Sequence, residues 1–192
     1  MEVCRMRDTP VIVFINKMDR EGKDAFDLLD EIESKLSIKV KPMSWPIGIG
    51  ATFKGVYNLH KKELNLFSGN KTSIEKEVYN LNGIQDPLLS NFIGEEATEV
   101  LKEEVELIDG VYGGFNQNKY LKAEVAPVFF GSALNNFGVQ ELLDSFIEIS
   151  PTPLGRKTES RSVEPNEEKF SGFVFKIHAN IDPKHRDRIA FL

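Results

Sequence analysis

The residues best equipped for chemistry are Asn16, Lys17, Met18 and Asp19, set directly behind the apolar run Val11-Ile12-Val13-Phe14-Ile15. An ionised Asp19 is an acceptor with two oxygens, which suits a planar ring presenting two adjacent donors. Guanine does so through its ring N1–H and its exocyclic amine. Adenine has no donor at ring N1 and would leave the carboxylate short of partners. Lys17 carries an aliphatic stem that covers a base or sugar while its ammonium reaches outward. Asn16 has both a donor and an acceptor with which to tie this loop to a neighbour, and Met18 contributes backbone shape and packing. A second group, Gly131-Ser132-Ala133-Leu134, follows another apolar run, Pro127-Val128-Phe129-Phe130. There a backbone N–H at Ala133 can donate to a ligand oxygen, and the Ser132 hydroxyl is placed to orient Asp19. Ser132 as a nucleophile is disfavoured, because it lacks a Gly-x-Ser-x-Gly setting and no base is identifiable.

Both groups need strands to position them. Val11 to Ile15 reads as a strand buried on both faces, and Pro127 to Phe130 as a second short buried strand. In open parallel α/β sheets, ligands sit beyond the carboxyl ends of the strands, where both groups fall. The spacing predicts a helix from Asp24, a suitable N-cap, to Leu36, with Leu28, Leu29, Ile32 and Leu36 on one face. Gly55 to Phe67 alternates like a hairpin turning at Lys61-Lys62, with Ser68-Gly69-Asn70 closing it. Glu95 to Ile108 reads as a helix stopped by Gly110, and Gly113-Gly114 as a turn. Gly138 to Ile149 reads as a helix with Val139, Leu142, Leu143, Phe146 and Ile147 on its apolar side. Residues 151–169 have the Pro, Ser, Thr and charge content of a linker. Phe170 onward is strand-like, and Lys184-His185-Arg186-Asp187-Arg188 forms a basic corner before Ile189. Residues 1–10 read as the tail of a helix running through a loop, so further residues upstream of Met1 and downstream of Leu192 are expected.

The chain has 192 residues, 41% hydrophobic and 28% charged, which is ordinary globular usage. Its formal charge of −6 gives no bulk basic field for nucleic acid, so any such partner must meet a local patch. The lone Cys4 makes no internal disulfide, which fits a reducing, cytoplasmic setting. His60, His178 and His185 lie far apart, without metal-ligand spacing, and no stretch has the length and hydropathy of a membrane span.

Asn16-Lys17-Met18-Asp19 resembles the base-specificity motif of GTP-binding proteins, with Ser132-Ala133-Leu134 as its companion. Arg7 to Pro10 leading into Phe14 to Arg20 looks like a translational GTPase. Ser44-Trp45-Pro46-Ile47-Gly48, Phe53 to Tyr57, Pro127 to Leu134 with Asn136 to Val139, Phe170 to Ile177 and, above all, Asp182 to Ile189 are similar to the bacterial peptide chain release factor 3 family. The resemblance implies an α/β fold. Residues 1–150 would be the later part of a P-loop-type GTPase domain, a parallel sheet with flanking helices, carrying an inserted α+β subdomain over about 41–125. Residues 151–169 would be a linker and 170–192 the first strands of a β-barrel second domain. It further implies GTP or GDP as ligand, with Mg2+ in the parent protein, and the ribosome and the stop-codon-reading release factors as partners. Elongation factor G and the ribosomal protection proteins are close alternatives, and a non-catalytic binding module is one of a different class. These 192 residues hold no Gly-x-x-x-x-Gly-Lys-Ser/Thr, Mg2+-ligating switch segment or Asp-x-x-Gly with its catalytic histidine. Asn16, Lys17, Met18, Asp19, Ser132, Ala133 and Leu134 are therefore base-binding candidates; no catalytic or metal residue is nominated, and this piece alone is expected to be inactive.

Overall fold

A computed structural model describes residues 1–7, 9–67, 77–179 and 188–192. In chain order its elements are α1 (Glu2–Met6), β1 (Val13–Ile15), α2 (Ala25–Leu36), β2 (Lys39–Pro42), β3 (Ser44–Ile47), β4 (Gly55–Asn58), β5 (Glu63–Leu66), β6 (Glu77–Asn80), α3 (Leu88–Ile93), α4 (Glu95–Tyr112), α5 (Gln117–Leu121), β7 (Val125–Phe130), α6 (Val139–Ile149), β8 (Arg156–Lys157), β9 (Ser162–Val163), β10 (Lys176–Ala179) and β11 (Arg188–Phe191). They fall into two units, Met1–Ser150 and Pro151–Leu192.

In the first unit, β1, β7 and β2 form a parallel sheet in that order, and β3 to β6 form an antiparallel sheet in sequence order. β1 pairs Val13 with Val128 and Ile15 with Phe130; β2 pairs Lys39 with Val125 and Pro42 with Val128. β7 is thus the central strand, and Ala126, Val128, Phe129 and Phe130 are buried on both its faces. β1 is shorter than the apolar run suggested, and Val13 and Phe14 are only half-buried. It has a described partner on one side only, so one edge of the run gains no ladder.

The two sheets share one core. Ile15, Leu29, Val40, Val128 and Phe130 from around the parallel sheet join Trp45, Val56, Leu64, Leu101 and Ile108 in a single buried cluster. Trp45 marks the seam. It is fully buried against Phe26 of α2, centroids 4.6 Å apart, and Phe130 of β7, 5.5 Å away. Its indole Nε1 donates to Glu104 Oε2 on α4 at 2.8 Å. Just before it, Ser44 Oγ accepts from the Phe130 N–H at 3.1 Å.

The local devices are those the residue types dictate. Asp24 Oδ1 accepts from the Phe26 N–H at 2.8 Å and caps α2. At the other end of α2, the Arg5 guanidinium donates to the carbonyls of Leu36 and Ser37, tying α1 to it. Glu31 pairs with Lys23 and Lys35 on the exposed side of α2, and hydrogen bonds from both hold its carboxyl down to about 2. The expected hairpin is present as β4 and β5, with Gly55 opposite Leu66 and Asn58 opposite Glu63. Its proposed closing turn, Ser68 to Asn70, lies outside the described residues.

Three expectations are corrected. α4 runs through Gly110 to Tyr112 and ends only at Gly113, whose φ is 58°. A single glycine costs a helix roughly 1 kcal/mol, less than is gained by burying Thr98, Leu101, Val105 and Ile108 along the same helix. On α6 the buried residues are Ser145 and Ile149, Val139 and Leu142 are half-buried, and Leu143, Phe146 and Ile147 are 48%, 52% and 78% exposed, so the apolar side read from spacing is covered only in part among the described residues. In the second unit, the linker-like stretch contains the small hairpin β8–β9, steadied by a two-oxygen contact of Arg161 with Glu167 at 2.7 Å. There too, only Lys176–Ala179 of the strand-like run pairs, with β11; Phe170 and Phe173 stay exposed. Of the basic corner, Lys184, His185, Arg186 and Asp187 lie outside the described residues.

Candidate functional site

The parallel pairing of β1 and β7 brings the two nominated loops together at the carboxyl ends of neighbouring strands. The Gly131 N–H donates to the Ile15 carbonyl at 3.0 Å, and the Met18 N–H to the Gly131 carbonyl at 3.1 Å. Met18 is buried, and its own carbonyl accepts from the Gly50 N–H at 2.9 Å. Met18 therefore joins the first loop to the second and to the turn Gly50–Thr52, which is the shape-and-packing part expected of it. Together the loops make a polar ledge on a rigid strand end.

Asn16 does the tying. Its Oδ1 accepts from the Lys17 N–H at 2.8 Å and from the Ala133 N–H, 117 residues away, at 2.9 Å. Two backbone donors on one oxygen fix the orientation of the amide and leave its NH2 end outward. Lys17 follows at φ 71°, a left-handed conformation that a residue with a Cβ holds only where its surroundings impose it. Its side chain is exposed, as a lid over a ring would need to be. The Ala133 amide, assigned by sequence to a ligand oxygen, is engaged by Asn16 in this structure. Leu134 projects into solvent, 74% exposed.

Asp19 sits half-buried at the inner side of the ledge. The Ser132 hydroxyl is the chief influence holding its carboxyl below the usual range. Partial burial opposes this, and its own backbone, the Arg20 charge and Asn135 assist. The carboxylate is therefore ionised at neutral pH and acts as an acceptor. Ser132 is buried, 1% exposed, and the expected link to Asp19 is present.

Spacing alone did not nominate Asn135. Its Nδ2 donates to Asp19 Oδ2 at 3.2 Å and to Ser132 Oγ at 2.9 Å. The available signal was its place three residues after Ser132, where a tight turn brings side chains onto one side. That turn is closed by reciprocal backbone hydrogen bonds between Ser132 and Phe137, each 3.0 Å. Gly138 leaves it at φ 77°, and a Cβ there would lie 2.6 Å from the Phe130 carbonyl oxygen. Gly131 is equally hemmed in, its would-be Cβ 2.3 Å from the Phe137 carbonyl oxygen. The closed turn thus rests backbone to backbone on the end of β7.

The cavities lined by Lys41, of about 330 and 420 Å³, include none of the ledge residues. Among the described residues, no group of His, Cys, Asp and Glu could hold a metal ion, and no helix is long and apolar enough to cross a membrane. Compared with known families, residues 1–152 match the model of the elongation factor Tu GTP binding domain.

Proposed function

The chain belongs to the family of the elongation factor Tu GTP binding domain and so to the translational GTPases, and from that premise we propose that its strand-end ledge reads the guanine base of GTP and GDP. The observation that carries the reading is the Asp19 carboxylate, three residues after Asn16 at the same strand end, held ionised by Ser132 and with one oxygen braced by Asn135. A carboxylate has about four acceptor positions on two oxygens. The Ser132 hydroxyl, Asn135 and its own backbone N–H already engage it, and the guanine N1–H and exocyclic amine would share the same two oxygens. The outward NH2 of Asn16 faces the acceptor edge of the base, O6 and N7, and the Ala133 N–H is shared between Asn16 Oδ1 and O6. The Lys17 stem and exposed Leu134 give the ring apolar cover. These residues supply base recognition, and phosphate and Mg2+ chemistry is no part of their work.

At the level of the whole protein, we propose a ribosome-associated GTPase of the release factor 3 type. It would use GTP to free stop-codon-reading release factors from the ribosome after peptide release, in the cytoplasm. The support is the set of sequence stretches named above, of which Asp182 to Ile189 is the most distinctive in the resemblance. The same resemblance carries the inserted subdomain over 41–125 and the barrel strands from Phe170.

The decisive test of base reading is Asp19→Asn in the complete reading frame that holds these residues. Hydrogen bonds to a charged group are worth roughly 1.5–3 kcal/mol each, so losing two lowers GTP affinity about a hundredfold to ten-thousandfold. The amide NH2 donates instead to the C2 carbonyl of xanthine, so xanthosine triphosphate gains what GTP loses. Unchanged preference for GTP in competition binding refutes the assignment. For the wider role, the protein with GTP should speed departure of a labelled release factor from post-termination ribosomes. Acceleration of translocation instead would move the protein to the elongation factor G group.

A further inference from the structure

We propose that Asn135 is a specificity-determining positioning residue: it braces Asp19 so that the carboxylate meets both donors of guanine at once. This rests on the base-reading role of the ledge and adds a residue and a division of labour to it. Asn135 Nδ2 carries two hydrogens, and the structure gives each an acceptor, Asp19 Oδ2 at 3.2 Å and Ser132 Oγ at 2.9 Å. The amide thereby spans the two loops. Ser132 is fixed by burial and by its backbone bonds to Phe137; its hydroxyl holds Asp19 directly, and Asn135 adds the second point of hold on Oδ2. Asn135 has little freedom of its own, since its backbone N–H donates to the Ser132 carbonyl at 3.1 Å and the next residue turns left-handed at φ 53°.

The brace acts on orientation more than on charge. A free carboxylate rotates about its Cβ–Cγ bond and presents its oxygens in a plane set by whatever touches it. With Oδ2 held from the side of the turn, the plane is fixed before a base arrives. Two parallel hydrogen bonds to adjacent donors require that plane, whereas one hydrogen bond tolerates rotation. Asn135 should therefore matter most for a base with two donors. Hypoxanthine, which keeps the ring N1–H and lacks the exocyclic amine, is the natural comparison.

The experiment measures GDP and inosine diphosphate affinities of the complete protein, wild type against Asn135→Ala, Asn135→Asp and Asp19→Ala, with thermal melts to confirm folding. Asn135→Ala should lose the equivalent of one hydrogen bond, a fall of about tenfold in GDP affinity, with a smaller fall for the inosine nucleotide. The ratio of the two affinities therefore drops. Asn135→Asp should fall further, because it replaces a donor by a second negative charge beside Asp19. A general loss of loop order would lower both affinities alike, so an unchanged ratio in folded Asn135→Ala overturns the proposal. Should Asn135→Ala melt too early to assay, Asn135→Ser, whose hydroxyl ends one bond short of the amide nitrogen, is read by the same ratio. Asp19→Ala separates the two levels. If it collapses the ratio and Asn135→Ala does not, only the brace is wrong; if neither moves it, base reading itself has failed.

Discussion

The ledge and the Trp45 seam meet at the same stretch of β7, yet they use their residues in opposite ways. At the ledge, polar side chains satisfy one another at the surface: Asn16 holds Ala133, and Asn135 holds Asp19 and Ser132. At the seam, aromatic bulk is buried, and one indole N–H is matched to one carboxylate. Phe130 and Gly131 are adjacent in sequence and belong to the two regimes, Phe130 packed against Trp45 and Gly131 bonded to Ile15 and Met18. On the proposed reading, the contrast separates base recognition from stability for the exposed members of the ledge: Asn16 and Lys17 can be tuned for a ligand at small cost to the fold, whereas Met18 and Ser132 are buried. The seam fixes where the ledge stands, through the Phe130 ring and its N–H.

The separation can be broken hardest at Trp45. Trp45→Ala removes the largest fully buried side chain and leaves Glu104 without its donor; unfolding in urea should show a loss of about 3–5 kcal/mol. Any protein that remains folded should still prefer GTP over ATP. Asp19→Asn is the mirror case, with a large change in nucleotide preference and a melting temperature little moved.

Gly138→Ala should strike both regions at once. A side chain at φ 77° with its Cβ 2.6 Å from the Phe130 carbonyl oxygen strains the turn. A cost of about 1–3 kcal/mol is expected, together with weaker guanine binding as Ser132 shifts. Loss of stability with intact binding would show that the turn and the ledge are less coupled than their shared backbone implies.

The smallest effect sharpens the seam. Burial raises the Glu104 carboxyl above its ordinary value, and Asp24 adds to this, against the Trp45 hydrogen bond that lowers it. A raised carboxyl favours the folded state in acid, below the unfolded value of about 4.3, and that contribution is lost as pH rises through the folded value. Glu104→Gln keeps an acceptor for the indole and removes the titration. Its stability relative to wild type should therefore improve from pH 4 to pH 7, and a flat difference in melts across that range would assign Glu104 no titrating role.

How much of this was legible in the sequence depends on the reach of the interaction. Asp24 was readable because its cap spans two residues, and the β4–β5 hairpin because alternation records a pleat. Met18 was readable as a packing residue. The engagement of the Ala133 amide by Asn16 was not, since it joins positions 117 residues apart. Asn135 was hidden for a related reason: its role exists only once the turn closes and β1 lies beside β7. Gly110 misled because a local helix penalty is outweighed by packing that the local sequence does not record. The apolar spacing of α6 was legible only in part, because periodicity reports which side of a helix is apolar and not how far across that side the cover extends.

The closed turn from Ser132 to Phe137 also has a consequence for conformational entropy. Ordering the backbone of a loose loop costs about 1–2 kcal/mol per residue, and a loop that orders only on contact subtracts that sum from affinity. Here two reciprocal bonds between Ser132 and Phe137, and the glycines that let the turn lie on β7, make that loss part of folding. A ligand then meets acceptors and donors already aimed. One glycine inserted between Asn136 and Phe137 would leave every recognising side chain in the protein, and should still weaken binding by restoring slack to the loop.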